Sequence, residues 1–309
     1  MMPDNYIKYS FVIPHHNSLT LLKRCVASIP QRGDVQIIIV DDNSEETQKP
    51  HENDFDRKIE LLYIDSVNTK GAGKARNLGK EKAKGDWLFF TDADDYYKEG
   101  FLSVIEKNIS PEYDVIYFNV FSNEDGNKNR ASLYNYYYDL FEKGLVTEED
   151  IKFLLFAPWN KAVSRKIYKL DAVCCDQIPS GEDAFLTFRI GENARKVKII
   201  NKKLYCITYN EGSLTYKPRS LEMEKAAVDL KIRLNKFLKE KTTCKFRTPL
   251  FYWTNAKHIL KYHGLSSFIK FLYYVECQDS MVRSFFYLCR YYMRNIKIKK
   301  WIAANNSDL

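Results

Sequence analysis

Three carboxylates fall within four residues at Asp92-Ala93-Asp94-Asp95, directly after the apolar run Trp87-Leu88-Phe89-Phe90-Thr91. The run is short enough to be a buried strand. Crowded carboxylates repel one another and are costly to desolvate, so buried strands seldom finish this way. A bound divalent cation reverses that cost, because hard oxygen ligands on a loop suit Mg²⁺ or Mn²⁺. A cation held there can grip phosphates. The competing reading is a solvated acidic turn ahead of a helix.

The surrounding elements decide between these readings. Tyr9 to Ile13 is β-prone and is stopped by Pro14, and Leu19, Leu22, Val26 and Ile29 then repeat at helical spacing, with Ser18 or Thr20 placed to start that helix. Val35 to Val40 predicts a second buried strand ending in Asp41-Asp42, and Ile59 to Ile64 a third. Gly71-Ala72-Gly73 opens a helix through Ala83, the Asp86 to Thr91 strand follows, Phe101 to Ile109 reads as helix and Asp114 to Phe121 as strand. Strands separated by single helices predict an α/β fold with a mainly parallel sheet. Ligands of such sheets sit beyond the carboxyl ends of the strands. Pro14-His15-His16-Asn17, Asp41-Asp42 and Asp92 to Asp95 all fall there, which favours a site over a solvated turn.

The glycines at 71 and 73 match neither a dinucleotide fingerprint nor a P-loop: the third glycine is missing and Lys74 is not followed by Ser or Thr. A helix start flanked by Lys74 and Arg76 still favours an anionic ligand.

Five segments in this order resemble family-2 glycosyltransferases of the GT-A fold, over roughly residues 8–216. They are Phe11 to Asn17, Ile39 to Ser44, Gly71 to Gly79, Thr91 to Asp95, and Gly181-Glu182-Asp183-Ala184-Phe185, the last preceded by Ala157-Pro158-Trp159-Asn160-Lys161. The resemblance implies a Rossmann-like, mixed and mainly parallel sheet flanked by helices. It also implies an inverting enzyme that uses a nucleotide-sugar and a metal ion. Asp92 and Asp94 match the family's Asp-x-Asp metal motif: Asp94 is the expected Mn²⁺ or Mg²⁺ ligand, and Asp92 shares the metal or contacts the ribose. Asp95 ligates through water or caps the next helix.

Asp183 is the expected base, by the resemblance and because it lies far in sequence from the metal carboxylates. A hydroxyl nucleophile must give up its proton in the transition state. Glu182 is the other candidate for that role, or binds the acceptor. Asp42 can accept a uracil-type N–H, and the resemblance places the backbone at Pro14 beside the base. Lys74 and Arg76 are expected on the donor phosphates. Trp159 is expected to stack on an acceptor sugar, while His15 and His16 are expected as polar residues at the site edge. Tyr209, Ser213 and Tyr216 are expected in a loop over the donor.

Composition adds a second region. At 309 residues, two domains or one large domain with an extension are expected. Residues 1–216 carry 29 Lys and Arg against 33 Asp and Glu, a net of −4, whereas 217–309 carry 19 against 7, a net of +12. The first stretch is the expected catalytic domain. The second predicts basic, aromatic-rich helices at Leu221 to Lys239, Phe251 to Tyr262, Leu265 to Tyr274 and Met281 to Met293. Those helices suit a peripheral contact with an anionic membrane or a homo-oligomer interface; no nucleic-acid module is recognisable. Seven cysteines without metal-ligand spacing, no apolar leader after Met1, and no run near ~20 apolar residues predict a cytoplasmic chain, peripheral at most on the inner face of the plasma membrane.

The acceptor implied by the resemblance is a hydroxyl of a glycan or lipid-linked glycan, in cell-surface polysaccharide synthesis. Two alternatives are a sugar-nucleotide nucleotidyltransferase and a non-catalytic glycan-binding or assembly protein. The first needs a Gly-rich basic loop after the first strand, where this chain has Pro14-His15-His16-Asn17.

Overall fold

A computed structural model describes residues 6–64, 71–123, 128–176, 181–208, 220–241 and 252–304. The apolar runs form strands Tyr9–His15 (β1), Val35–Asp41 (β2), Glu60–Tyr63 (β3), Trp87–Phe90 (β4), Tyr96–Tyr97 (β5), Val115–Phe121 (β6), Lys161–Ser164 (β7) and Val197–Cys206 (β8). They make one eight-stranded sheet in the order β3-β2-β1-β4-β7-β6-β8-β5. β3, β2, β1 and β4 run parallel, as do β6 and β8, while β7 is antiparallel to both its neighbours and β5 is antiparallel to β8. The mixed, mainly parallel sheet is the expected one.

Helices connect these strands: Leu19–Ser28 (α1), Ala72–Lys82 (α2), Phe101–Glu106 (α3), Lys128–Glu142 (α4), Glu148–Leu154 (α5), Arg165–Tyr168 (α6) and Glu182–Asn193 (α7). The C-terminal helices are Leu221–Lys241 (α8), Trp253–Gln278 (α9) and Met281–Ala304 (α10). Two expected helices, split at residue 264, appear as α9 with a sharp break: Gly264 adopts φ 80°, a conformation that favours glycine.

Pro14 does not stop β1, which continues to His15. Pairing with β4 ends at Val12, so the N–H that proline lacks falls past the paired stretch on that side, and the ladder to β2 continues.

The chain divides into two compact units. The first contains the whole sheet with α1, α2, α3, α6, α7 and α4 as far as Tyr138. Its core is aromatic: Phe11 stacks on Phe89 with centroids 4.7 Å apart, and Tyr97 stacks on Phe101 at 4.0 Å. Each such buried ring contributes roughly 1.5–3 kcal/mol. The second unit holds α8, α9 and α10 on a core that includes Val228, Ile232, Ile259, Phe271 and Val275. It also takes in α5 and the end of α4 from Asp139, a segment that charge and length do not mark out. The boundary expected at 216/217 lies outside the described residues.

Close packing of α2 on β1 depends on Gly79, where an added Cβ would lie 2.4 Å from Val12 Cγ1. Gly79→Ala is therefore expected to destabilise the first unit by about 1–3 kcal/mol through overpacking. Urea unfolding checks this; an unchanged midpoint would count against the close fit.

Candidate functional site

The acidic loop leaves β4 at the edge where β1 and β2 also end. Carboxylate oxygens of Asp92, Asp94 and Asp95 lie within 4.8 Å of one another. This all-oxygen donor set fits a hard divalent cation. Asp95 belongs to the cluster as fully as the two expected ligands. It does not cap a helix, because β5 follows it, and its Oδ1 instead accepts the Thr208 N–H at 2.8 Å. Burial, then the charges of Asp94 and Asp92, push its carboxyl well above the ordinary range. The loop is fixed from several sides: Asp92 N–H donates to the Tyr205 hydroxyl at 3.0 Å, and Arg24 and Thr208 both donate to the Asp94 carbonyl.

Arg76, on α2, ties this loop to the second acidic segment. Its guanidinium donates to Asp92 Oδ1 at 2.8 Å and to Glu182 Oε1 at 2.9 Å, and the residue is only 5% exposed. Burial works against its charge, but Asp92 and Glu182 outweigh burial and hold its proton above the ordinary value. The sequence expectation places Arg76 on donor phosphates, yet both arms of its fork are occupied by carboxylates. Glu182, expected at the acceptor, likewise spends Oε1 on this ion pair. Gly73 makes the approach possible, since a Cβ there would meet Glu182 Cγ at 2.6 Å.

Asp183 follows on the first turn of α7 and is half-buried. Burial raises its pKa, with Glu182 and Asp92 adding to the rise and Arg76 and Arg130 opposing it. A carboxylate raised in this way is a stronger base once ionised.

A buried clasp holds the ends of β1 and β2 together. His15, 2% exposed, lies inside the fold and not at the site edge where the sequence suggests it. Its Nε2 accepts the Ser18 N–H at 3.1 Å, which leaves Nδ1 as the donor to Asp41 Oδ1 at 2.8 Å. Burial alone would raise the Asp41 pKa, but hydrogen bonds from His15 and Ser44 bring it below the ordinary value. His16 donates from Nδ1 to the Asp42 carbonyl at 2.8 Å. Asp42, 9% exposed, accepts the Gly71 N–H at 2.7 Å, joining the end of β2 to the start of α2. Pro14 at the end of β1 and Lys74 on the first turn of α2 are both half-buried.

Trp159 does not offer a face to a sugar. It is 1% exposed, stacked on Tyr205 at 5.3 Å, with Arg130 lying over its ring at 5.1 Å. It backs the tyrosine whose hydroxyl accepts the Asp92 N–H.

Two cations beside the site are given no role by the sequence: Arg130 lies in no motif, and Lys161 closes the Ala157-to-Lys161 segment. Arg130 is one; burial opposes its charge, but Tyr134, Asp92 and Asp183 keep its pKa raised. The other is Lys161, fully buried, donating to the carbonyls of Leu155 and Ala157 and lying 5.3 Å over the Tyr117 ring. Burial pushes its ammonium down to about 7, against the pull of Asp183. A lysine in a strand-entry segment reads as surface charge, and only the fold shows it buried. Tyr209, Ser213 and Tyr216 lie outside the described residues.

Comparison with known proteins bears on the fold and the family. The chain is 27% identical over 225 residues to glycosyltransferase GlyA of Streptococcus pneumoniae, covering 67% of this chain and 31% of that one. It is 35% identical over 96 residues to the poly(ribitol-phosphate) beta-glucosyltransferase of Bacillus spizizenii, covering 29% and 15%. The chain thus spans less than a third of the length of these two relatives. The fold resembles S. aureus TarS 1–349 in complex with UDP-GlcNAc, with a TM-score of 0.57 and 17% identity over 83% of this chain and 72% of that one. The family model for glycosyl transferase family 2 matches residues 10–170, more than half of the sequence, and the chain belongs to that family.

Proposed function

We propose that this chain is an inverting, metal-dependent glycosyltransferase that moves a sugar from a UDP-sugar to a hydroxyl of a glycan or lipid-linked glycan in cell-surface polysaccharide synthesis. The observation that carries this reading is the Arg76 bridge, which joins the acidic loop at Asp92 to the helix turn bearing Asp183. Asp183 takes the proton of the acceptor hydroxyl as that oxygen attacks the anomeric carbon, opposite the departing nucleoside diphosphate. Asp94 and Asp92 would hold Mn²⁺ or Mg²⁺, with Asp95 completing the carboxylate set. Held there, the ion would supply positive charge where the leaving diphosphate gains negative charge.

On the donor side, Lys74 meets phosphate at the start of α2, where helix N–H groups favour anions. Asp42 accepts a uracil-type N–H, the Pro14 backbone passes beside the base, and Asp92 also contacts the ribose. Arg76 acts on the phosphates only indirectly, by positioning Asp92. The choice of uridine is supported by the fold shared with TarS, which has been solved with UDP-GlcNAc and with UDP. The acceptor class is supported by the Bacillus spizizenii relative, a poly(ribitol-phosphate) beta-glucosyltransferase.

The test is release of nucleoside diphosphate from a panel of sugar nucleotides, with Mn²⁺ and with a chelator. The expected result is release from one UDP-sugar that the chelator abolishes and added Mn²⁺ restores. Asp94→Asn should lower the rate about 10²–10³-fold. Silence across the panel in the presence of Mn²⁺ would sink the proposal.

A further inference from the structure

The outer face of α10 is apolar where a water-facing helix is ordinarily polar. Met281, Ser284 and Ile298 are its buried positions, and Met281 belongs to the core of the second unit. On the opposite side Val282, Phe286, Met293 and Ile296 recur at helical spacing, exposed by 65%, 61%, 60% and 51%. α9 adds a second stripe of residues four apart: Leu265, Ile269 and Tyr273, exposed by 62%, 57% and 75%. Exposed apolar stripes of this kind mark an interaction face. No described helix is long and apolar enough to cross a membrane.

Charge indicates what covers this face. α10 carries six Lys and Arg and no Asp or Glu, with Arg290, Lys299 and Lys300 exposed. A second copy of the chain would bring like charges together around the apolar contact, at a Coulomb cost that grows as water is excluded. A lipid surface with anionic headgroups satisfies both features. The apolar side chains enter the acyl boundary, the aromatics sit at headgroup level, and the Lys and Arg side chains reach phosphates. We propose that the exposed apolar and basic face of α10, together with the α9 stripe, binds an anionic phospholipid surface. This binding goes beyond the transfer chemistry and does not rest on it.

Co-sedimentation of the full chain with phosphatidylcholine vesicles, with and without phosphatidylglycerol, tests the proposal. Binding is expected to the phosphatidylglycerol vesicles and to weaken with salt. Phe286→Glu with Ile296→Glu should lower that binding at least ~10-fold. Replacing Arg290, Lys299 and Lys300 with Gln should lower it about 100-fold, at roughly one surface charge each. Circular dichroism and an unchanged melting temperature confirm that the variants fold, since every altered side chain is exposed. The proposal is overturned if the folded wild type stays in solution with anionic vesicles at low salt. It is equally overturned if the Glu variant binds as well as wild type, or if sedimentation equilibrium shows a dimer that Phe286→Glu dissociates.

Discussion

Asp183→Asn is expected to lose about 10²–10⁴-fold in transfer rate while the folded chain becomes as stable as wild type or more so. Both halves follow from one environment. Burial, then Glu182 and Asp92, disfavour the ionised carboxylate, and Arg76 and Arg130 offset only part of this. A carboxyl whose folded pKa is raised resists ionisation in the folded state. Its stabilising contribution is fully present below the unfolded value near 3.8 and is lost as pH rises through the folded value. The neutral amide does not pay that penalty, so the variant should melt no lower than wild type at neutral pH, and the gap should close in acid. The same shift places the acidic limb of the wild-type kcat/KM profile above 3.8, because the base must be ionised to act. If Asp183→Asn keeps full activity while Glu182→Gln loses it, the base is Glu182.

Arg76→Met is expected to cost about 2–4 kcal/mol of stability and to remove most activity. Breaking a buried ion pair by deleting one partner leaves an uncompensated charge. Here one cation serves two carboxylates, Glu182 at 14% side-chain exposure and Asp92 at 29%, and the partial exposure of Asp92 tempers the loss. Arg76→Lys should recover only part of it, since an ammonium cannot present a planar fork to both acids at once. Adding Glu182→Gln to Arg76→Met should restore stability without restoring transfer. Urea unfolding reads these differences; an Arg76→Met chain within about 0.5 kcal/mol of wild type would show that the bridge is dispensable.

The sheet and the acidic strand ends were legible because strand period, helix spacing and turn residues all agree over residues 9–121. The acidic loop was legible because three carboxylates after a buried run are conspicuous in any sequence. Partners were not. Arg76 beside a glycine-rich turn has the same local appearance whether it meets a phosphate or two carboxylates, and Glu182 lies 106 residues away. Trp159 shows the limit from the other side. An aromatic in a polar segment suits a sugar platform, and only the placement of Tyr205 and Arg130 reveals it as packing. Arg130 lies in no motif and Lys161 only closes the segment before the Glu182-Asp183 turn; neither shows its burial near acids contributed by other elements until the fold is known.

The reversal of direction between β4 and β7 brings two distant stretches of chain to one edge of the sheet. β1, β2 and β4 reach that edge by parallel crossovers, and their register is set before residue 91. The chain between β6 and β7 takes no part in those ladders, and it supplies Arg130 and the Trp159 that backs Tyr205. On the proposed reading, the two sides of the site are free to diverge at different rates. On that reading, a lineage of such chains can alter its acceptor side while keeping the strand register that carries Asp42 and Asp92.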